Sequence, residues 1–512
     1  MNHSSTFHYI TEYLEYYAKN TPHALAVKDN ASSVTYFKLN QKAERFSKLL
    51  INMGVNKCDR IIIIGDNCVE FIIAIYGCLK AGAIFIPLHT STTKNRIQYI
   101  IENSECKVII TTNSETIDDI ENDITIIPFL NEDQLYNNFA VFHKITEKSN
   151  NKYKNAVNED DIAIIIYTSG TTGYPKGVVE SHKSIAFSVN SINSVIGNTS
   201  KDRILCGLPL SFDYGLYQVF LAFSVGAALI LIPDFHNPLS LPRVLAEEKI
   251  SGFPLVPSVA ASLIHSKLLE RISLPHLRYI TSTGDTFHLE HINKFKELWP
   301  NVLIFPMYGL TECKRVSILS PNDYIGHENS VGKPIPGTSA YIVDENGNKL
   351  KENETGILIV SGPHVMNGYW RDKAETIKRF FINAENHQNS LITNDIFYMD
   401  IDGFLYYVGR DEAIIKSNGY RIGVSEIERI ITQLDSVVEV CAIGIEDKER
   451  GQIIVLHIYS NDKNLSEDNI RKQFYTYFSR DIVIKTIIFH KKALPKTTNG
   501  KLDRRFLAAM EA

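Results

Sequence analysis

Short apolar runs alternate with helical patterns along most of the chain. The run Arg60–Gly65 contains four consecutive isoleucines and predicts a buried strand, and the stretch Cys68–Ala81 that follows it predicts a helix. Further strands are predicted at Ala83–Pro87, Lys107–Thr111, Ile124–Pro128, Asp161–Tyr167, Ala228–Pro233, Leu277–Thr281 and Val302–Phe305. Because strands separated by helices are typical of parallel βαβ layers rather than of a sandwich, this part of the chain is predicted to be α/β.

The pattern changes after about Gly337, where apolar runs are separated by turns rich in glycine and asparagine. Such spacing predicts a small, mostly antiparallel region. Its strands are predicted at Ala340–Asp344, Gly356–Val360 and Ile396–Gly409. A new α/β unit is predicted from Val424 onward, with helices Ser425–Leu434 and Ser466–Phe478 and strands Val437–Gly444, Gln452–Ser460 and Ile482–Phe489.

These patterns predict two domains. Residues 1–410 would form a large N-terminal domain of parallel α/β layers with a small β subdomain, and residues 411–512 a smaller α+β domain. The chain has 512 residues, with 53 Lys and Arg against 58 Asp and Glu, so its net charge is −5. This near balance argues against a nucleic-acid partner. A chain of this size can bury its core without disulfide bonds.

The cysteines and the lengths of the apolar stretches indicate in which cellular compartment the protein is expected. The seven cysteines are scattered without a C-x-x-C pair, which indicates neither a disulfide framework nor a zinc site. The N-terminus lacks the features of a secretory signal, and uninterrupted apolar stretches stay below the roughly 18 residues that a membrane helix needs. The sequence therefore predicts a soluble, cytoplasmic protein without a membrane partner.

The strongest chemical signal is the loop Tyr167–Gly177, which directly follows a predicted buried strand. It contains four Ser or Thr residues, three glycines and Lys176. Glycines let the backbone approach a ligand closely, while successive N–H groups, hydroxyls and an ammonium group bind phosphate oxygens. The spacing is neither that of a Walker A loop nor that of a dinucleotide fingerprint. The alternative is a polar turn without a ligand.

Further motifs follow this loop in order, and together they resemble the adenylate-forming superfamily. That superfamily comprises acyl- and aryl-CoA synthetases, adenylation domains and luciferases. The matching segments are Tyr167–Gly177, Met307–Cys313, Val331–Gly337, Asn367–Trp370, Thr393–Asp395, Tyr407–Glu412, Lys416–Arg421 and Leu494–Lys501. The resemblance implies that a carboxylate attacks the α-phosphate of ATP to give an acyl-adenylate and pyrophosphate, after which a thiol displaces AMP. Because both reactants are anionic, positioning and charge neutralisation would supply most of the catalysis.

The resemblance also implies a role for each matching residue. The phosphates and pyrophosphate would be held by Thr168, Ser169, Gly170, Thr171, Thr172, Gly173 and Lys176. The turn Gly284–Asp285 would contact adenine, with Tyr308 against the ring; the alternative for Tyr308 is an ordinary core aromatic residue. Asp395 and Arg410 would hold the ribose, in a motif that has Asn394 where relatives have glycine. Asp411 or Glu412 would act as the hinge between the two domains, on which the mobile C-terminal domain is expected to rotate.

Three residues would act on the reacting groups themselves. The resemblance implies that Thr311 contacts the α-phosphate and that Glu312 helps to bind Mg²⁺, which favours carboxylate and phosphate oxygens. Lys501 would reach the carboxylate and the α-phosphate. Outside its motif setting, a lone lysine would more often be a solvated surface group.

The acyl pocket is predicted to include Asp213, Tyr217, Met307 and Arg315. In amino-acid-activating relatives, the residue that corresponds to Asp213 pairs with the substrate ammonium, but Asp213 could instead cap the following helix. Arg315 could recognise a second carboxylate or a polar group on the substrate, pair with Asp213 or face solvent. The substrate is thus expected to be a small carboxylic or amino acid.

Several functions remain open at the level of sequence. The favoured one is a stand-alone ligase that loads a phosphopantetheinyl carrier protein in trans, since the chain ends soon after Lys501. The alternative within the same chemistry is an acyl-CoA synthetase that uses free coenzyme A. A non-catalytic nucleotide-binding protein and a luciferase-like oxygenase belong to other classes.

Overall fold

The computed structural model describes most of the chain. The described residues are 7, 9–111, 124–129, 157–168, 175–235, 240–285, 287–410, 414–417, 420–447, 451–462, 464–478, 480, 482–497 and 501–511. Side chains within these ranges are described except those of residues 271, 410, 414, 416, 417, 420–422, 425, 451 and 505.

Two sheets build the N-terminal part of the molecule. Their strands are β1 (Leu25–Lys28), β2 (Ser33–Thr35), β3 (Arg60–Ile64), β4 (Ile84–Leu88), β5 (Val108–Thr111), β6 (Thr125–Pro128), β7 (Ile162–Thr168), β8 (Lys176–Ser181), β9 (Arg203–Cys206), β10 (Ala228–Leu231), β11 (Gly252–Leu255), β12 (Tyr279–Ser282), β13 (Leu303–Tyr308), β14 (Ser317–Ile318) and β15 (Lys333–Pro334). One sheet has the order β6-β5-β3-β4-β7-β8, and the other has the order β15-β14-β13-β12-β11-β9-β10-β1-β2. Pairing is parallel through β6-β5-β3-β4-β7 and from β13 to β1, and antiparallel at the remaining edges.

Helices cover both faces of these sheets. They are α1 (Ile10–Asn20), α2 (Tyr36–Asn52), α3 (Val69–Lys80), α4 (Lys94–Ser104), α5 (His182–Ile196), α6 (Asp213–Val225), α7 (Leu241–Glu247), α8 (Pro257–His265) and α9 (Leu289–Leu298). Along β3, Ile61 and Ile63 join the central core while Ile62 and Ile64 pack with α4 on the other face. Burial on both faces explains the uninterrupted isoleucine run, because a parallel strand covered by helices has no solvent side.

A smaller antiparallel sheet follows. It consists of β16 (Ser339–Val343), β17 (Gly356–Ser361), β18 (Phe380–Ile382), β19 (Asn389–Met399) and β20 (Leu405–Arg410), with helix α10 (Lys373–Arg379) before β18. The single segment predicted at Ile396–Gly409 is wrong, because a turn at Asp400–Phe404 divides it into the end of β19 and β20. Asp400 holds this turn by accepting backbone hydrogen bonds from Asp402 and Phe404.

The C-terminal unit has its own sheet and core. Its strands are β21 (Ile414–Ser417), β22 (Tyr420–Gly423), β23 (Val437–Asp447), β24 (Gly451–Ser460) and β25 (Ile484–His490), and its helices are α11 (Val424–Ile431), α12 (Glu467–Tyr477) and α13 (Arg504–Ala509). Both α11 and α12 pack their apolar faces on the buried side of β23–β25. We call this unit the lid.

The predicted fold class is confirmed: the molecule is α/β, with a large N-terminal part of parallel sheets and a smaller C-terminal unit. The pattern missed β9 and β11, which are only four residues long, and β11 also contains Pro254. The domain boundary at residue 410 stays a prediction.

Candidate active site

The candidate site lies where parallel strands of the larger sheet end. The carboxyl ends of β11 and β12 lead into Val256 and Thr283, and crevices outside such ends are where α/β proteins bind ligands. A cleft that is open to solvent is lined there by Gly284 and Asp285 from the N-terminal part and by Lys501 from the lid. The two units therefore meet at this cleft.

The predicted catalytic lysine lies beside the predicted adenine-contacting turn. Gly284 has a φ of +95°, and a methyl group built on it would lie 3.6 Å from Cε of Lys501. Glycine suits this position because a side chain is rarely stable at that φ. Residues far apart in the chain, Gly284 and Lys501, are thus brought together.

Backbone hydrogen bonds join the two described ends of the loop that carries Lys501. The N–H of Thr497 donates to the carbonyl of Lys501 at 2.7 Å, and the N–H of Asp503 donates to the carbonyl of Pro495 at 2.9 Å. Glu439 on β23 anchors the start of this loop: its carboxylate accepts from the N–H of Leu494 at 2.7 Å, and its Oε1 lies 2.7 Å from Nζ of Lys496. Glu439 had no motif to mark it in the sequence.

Tyr308 and Asp395 form a buried pair. The Tyr308 hydroxyl donates to Oδ2 of Asp395 at 2.6 Å, and the Tyr308 ring stacks at 6.2 Å on that of Tyr407. Burial and the adjacent Asp395 raise the pKa of Tyr308, which keeps the hydroxyl protonated as a donor. Strand register places Arg410 opposite Asp395 across β19 and β20. Tyr308, Asp395 and Arg410, three of the residues implied for adenine and ribose, are therefore neighbours.

The turn that follows β13 carries Thr311 and Glu312. A methyl group built on Gly309 would lie 1.7 Å from the carbonyl oxygen of Lys314, so the turn can close only around a glycine. The Tyr369 hydroxyl donates to Oε1 of Glu312 at 2.8 Å and orients that carboxylate. The carbonyl of Thr311 accepts from Nζ of Lys314 at 2.7 Å.

The predicted phosphate loop is described only at its two ends. Ser169, Gly170, Thr171, Thr172 and Gly173 lie outside the described residues, as do the hinge candidates Asp411 and Glu412. Thr168 closes β7, and its hydroxyl donates to the carbonyl of Lys176 at 3.5 Å. Lys176 itself pairs with Glu375 at 2.9 Å and lies 5.5 Å from the centroid of the Tyr369 ring. A phosphate would have to compete with Glu375 for this ammonium group.

On the acyl side, Asp213 is the first residue of α6 and is half-buried. The residue that caps this helix is Phe212, and Oδ1 of Asp213 accepts from the N–H of Tyr214 at 2.8 Å. Asp213 is therefore not the N-cap residue that the alternative interpretation required.

Tyr217 belongs to a buried polar cluster. Its hydroxyl donates to Oε2 of Glu180 at 2.8 Å, and the other oxygen of Glu180 pairs with Nζ of Lys314. Glu180 is 2% and Lys314 5% exposed, so each charge is neutralised by the other in a dry environment. Sequence reasoning did not identify either residue, because they are distant in the chain and belong to different elements.

Met307 and Arg315 are both buried, at 5% and 7% exposure. Arg315 therefore does not face solvent, which removes one of the three alternatives for it. Within the described part of the chain it also forms no ion pair within 4.0 Å, with Asp213 or any other carboxylate. Its Nη1 donates instead to the hydroxyl of Thr283 at 2.8 Å.

Comparison with known proteins bears on the family. The family model for the AMP-binding enzyme matches residues 14–370, and that for the AMP-binding enzyme C-terminal domain matches residues 426–501. Zwittermicin A synthase ZmaJ of Bacillus cereus is 27% identical over 96% of this chain and 93% of its own length. Gramicidin S synthase 1 of Brevibacillus brevis is 28% identical over 97% of this chain, which spans only 44% of that synthase.

Solved structures of related proteins agree with the match to the AMP-binding enzyme family. The crystal structure of VinN is 30% identical, with a TM-score of 0.70 over 78% of this chain and 98% of VinN. ATP-bound MatB from Rhodopseudomonas palustris has the same fold. It is 24% identical, with a TM-score of 0.86 over 98% of this chain and 99% of MatB. Within the described residues no helix is long and apolar enough to cross a membrane. The chain belongs to the AMP-binding enzyme family of adenylate-forming ligases, whose members include adenylation domains and acyl-CoA synthetases.

Proposed function

We propose that this enzyme adenylates a small amino acid with ATP and transfers the acyl group to the phosphopantetheinyl thiol of a separate carrier protein. The single observation that carries the proposal is the meeting of Lys501 with the Gly284–Asp285 turn at the carboxyl ends of the parallel strands. An ammonium group there can neutralise charge where a carboxylate and an α-phosphate, both anionic, must approach each other.

The neighbouring residues support a bound nucleotide. Tyr308 and Asp395 offer an aromatic ring and an oriented carboxylate for adenine and ribose, and Thr311 follows on the same turn. Thr168 and Lys176 lie at the two ends of the loop proposed to hold the phosphates, and Arg410 lies opposite Asp395. Rigid placement of two anionic reactants is what this chemistry requires most.

Mg²⁺ is proposed to accompany ATP, with Glu312 as its protein ligand. The described residues contain no group of three or more His, Cys, Asp or Glu side chains that could hold a metal ion. Mg²⁺ that is bound together with a nucleotide needs only one or two carboxylates, since phosphates and water supply its other ligands. The Tyr369 hydrogen bond would orient Glu312 for this role. When bound, the ion would neutralise phosphate charge.

The choice of an amino acid rests on Asp213. Its carboxylate is half-buried at the start of α6, and it acts electrostatically on the buried groups Glu180, Tyr217 and Arg315. A substrate ammonium would be a favourable partner for such a carboxylate. Among the relatives, one VinN structure is described as a complex with L-aspartate, at 29% identity and a TM-score of 0.69 over 78% of this chain. Tyr217 and Met307 would form apolar walls of the same pocket.

The acceptor is proposed from the relatives. ZmaJ and gramicidin S synthase 1 represent the adenylation-domain relatives, and by analogy with these we propose a carrier-protein thiol as the acceptor. Structures of o-succinylbenzoate CoA synthetase and of a Mycobacterium tuberculosis fatty acyl CoA synthetase share the fold, with TM-scores of 0.82 and 0.74, and keep free coenzyme A as the second candidate. After pyrophosphate release has identified the acid, thioester formation with carrier protein or with coenzyme A separates the two.

The test of the adenylation step is ATP–pyrophosphate exchange with a panel of amino and carboxylic acids. We expect Lys501→Ala to lower exchange by at least about hundredfold, because it removes a charge that acts at the transition state. Nucleotide binding, measured by calorimetry, should change by less than about threefold, since other residues hold the nucleotide. Unchanged exchange in Lys501→Ala would contradict the role of this lysine. A well-folded wild-type enzyme that exchanges with no acid would instead favour a non-catalytic nucleotide-binding protein.

A further inference from the structure

Arg315 is a buried cation without a partner of opposite charge in the described residues. It is 7% exposed, and its Nε has no hydrogen-bond partner in the described part of the molecule. Its guanidinium donates from Nη1 to the hydroxyl of Thr283 at 2.8 Å and lies 5.2 Å from the centroid of the Tyr214 ring. A neutral hydroxyl and a ring face do not replace the hydration that a buried charge has lost.

The neighbouring lysine shows the contrast. Lys314 is as deeply buried, but it forms an ion pair with Glu180. The second oxygen of Glu180 accepts from the Tyr217 hydroxyl, so this carboxylate is fully engaged and does not serve Arg315. Two adjacent cations thus point into the interior, and the protein supplies a counter-charge in contact with only one of them.

Arg315 nevertheless remains a guanidinium. Burial lowers its pKa, while the nearby Tyr214 and Asp213 act in the opposite direction. Arginine has such a high intrinsic pKa that it stays protonated in proteins. The cost of burying the charge is therefore not removed by losing a proton. Asp213 acts on the guanidinium without forming an ion pair with it, so an anion bound directly to Arg315 would offset more of this cost.

The position of Arg315 relates this anion to the reaction. Its partner Thr283 directly precedes Gly284, the residue that lies against Lys501. Its ring partner Tyr214 directly follows Asp213 on α6. An anion on Arg315 would therefore lie between the proposed ammonium-binding carboxylate and the turn at which adenylation is proposed to occur.

We infer that Arg315 binds a second carboxylate of the substrate, and that the substrate is a short amino dicarboxylic acid. This inference rests on the proposed function. One carboxylate would be adenylated near Lys501, the ammonium would pair with Asp213, and the other carboxylate would accept hydrogen bonds from the guanidinium of Arg315. Guanidinium and carboxylate match in geometry as well as in charge, which makes this pairing both strong and selective.

The test compares acids with their amides of equal length. ATP–pyrophosphate exchange is measured for aspartate against asparagine, and for glutamate against glutamine. We expect the preferred dicarboxylate to exceed its amide by at least about hundredfold in kcat/KM, because the amide leaves the guanidinium without a counter-charge. A wild-type enzyme that prefers the amides or a neutral amino acid would overturn the inference.

Substitution of Arg315 tests the residue itself. Arg315→Gln should lower kcat/KM for the dicarboxylate by about hundredfold or more, while kcat/KM for the amide changes by less than about threefold. The control is Arg278→Gln. Arg278 directly precedes β12 and already forms an ion pair with Asp202 at 3.0 Å. This substitution should leave the ratio of acid to amide unchanged even if the protein becomes less stable. An unchanged ratio in Arg315→Gln would overturn the inference.

Two further measurements separate this inference from the proposed function. Calorimetric titration of aspartate and glutamate into wild type and Arg315→Gln measures binding without turnover, and we expect tight binding only in wild type. If wild type binds a dicarboxylate through Arg315 but exchanges with no acid, the proposed function fails and the second-carboxylate site stands. If wild type exchanges with a monocarboxylic amino acid and binds neither dicarboxylate, the proposed function stands and this inference fails.

Discussion

At the scale of single residues, the Tyr308–Asp395 hydrogen bond is a sharp test of the nucleotide site. Tyr308→Phe removes only the hydroxyl that donates to Asp395 at 2.6 Å. A hydrogen bond to a carboxylate contributes about 1.5–3 kcal/mol, and without it the carboxylate loses its fixed orientation. We expect the KM for ATP to rise by roughly tenfold, with a smaller effect on the KM for the acid, in steady-state pyrophosphate release.

A control is available at the start of α2, far from the candidate site in the sequence. Tyr36 is also fully buried and donates to the carbonyl of Ala227 at 2.6 Å. Tyr36→Phe should lower thermal stability in the same way but leave the KM for ATP unchanged. If both substitutions changed that KM equally, the effect of Tyr308→Phe would reflect stability and not nucleotide binding.

The sequence could identify site residues more easily than their partners. Thr393–Asp395 was recognised although asparagine replaces the usual glycine, and Asn394 indeed adopts a φ of +59°, which asparagine tolerates better than most residues with a side chain. Glu180, which neutralises Lys314, could not be predicted, since nothing in the local pattern indicates which buried charges meet. The motifs follow local constraints, whereas the pairing of charges depends on tertiary structure.

At the scale of elements, the loop that carries Lys501 depends on Glu439. Glu439→Ala removes both anchors at the start of this loop, the bond to Leu494 N and the pair with Lys496. A displacement of a catalytic group by about 1 Å can lower a rate by about 10²-fold. We expect kcat for adenylation to fall by 10- to 100-fold, while the KM for ATP changes by less than about threefold.

The same lid offers the control. Glu467 pairs with Arg471 on the exposed side of α12, at 3.3 Å. Glu467→Ala should leave kcat unchanged, because exposed pairs contribute little. Glu439→Gln retains an acceptor for the N–H of Leu494, so its kcat for adenylation should lie between those of wild type and Glu439→Ala. Normal turnover in Glu439→Ala would show that the loop holds Lys501 without this anchor.

Element prediction succeeded where a continuous apolar run coincides with one element, and failed where a strand contains polar residues, glycine or proline or where an apolar stretch continues across a turn. The isoleucine run of β3 and the helix after it are close to the predicted bounds, at Arg60–Ile64 and Val69–Lys80. β9 and β11 were missed although β5 and β10, which are equally short, were predicted. β9 begins with an arginine, and β11 contains Gly252 and Pro254, which are unfavourable inside a strand. The turn between β19 and β20 was missed because apolar residues continue up to it and after it.

At the scale of the whole molecule, the cleft between the lid and the N-terminal part is lined by two half-buried histidines. His288 and His291 line the cleft beside Asp285 and Lys501. Burial lowers the pKa of His288 to about 4. The positive charge of Arg429 lowers this pKa further, whereas the negative charge of Asp285 raises it. Burial and the neighbouring imidazoles lower the pKa of His291 to about 3. Both imidazoles therefore stay unprotonated in the folded protein at neutral pH.

This arrangement predicts a loss of stability in acid. Unfolded histidines titrate near 6.5, so between that pH and the folded pKa values the unfolded chain binds protons that the folded chain excludes. Their contribution to stability is complete above pH 6.5 and decreases as pH falls, by about 1.4 kcal/mol per pH unit for each histidine. Urea unfolding of the double variant His288→Asn, His291→Asn should show a shallower dependence on pH between 6.5 and 4.5 than wild type. His276→Asn, an exposed control, should retain the wild-type slope, and an equal slope in the double variant would contradict the assignment.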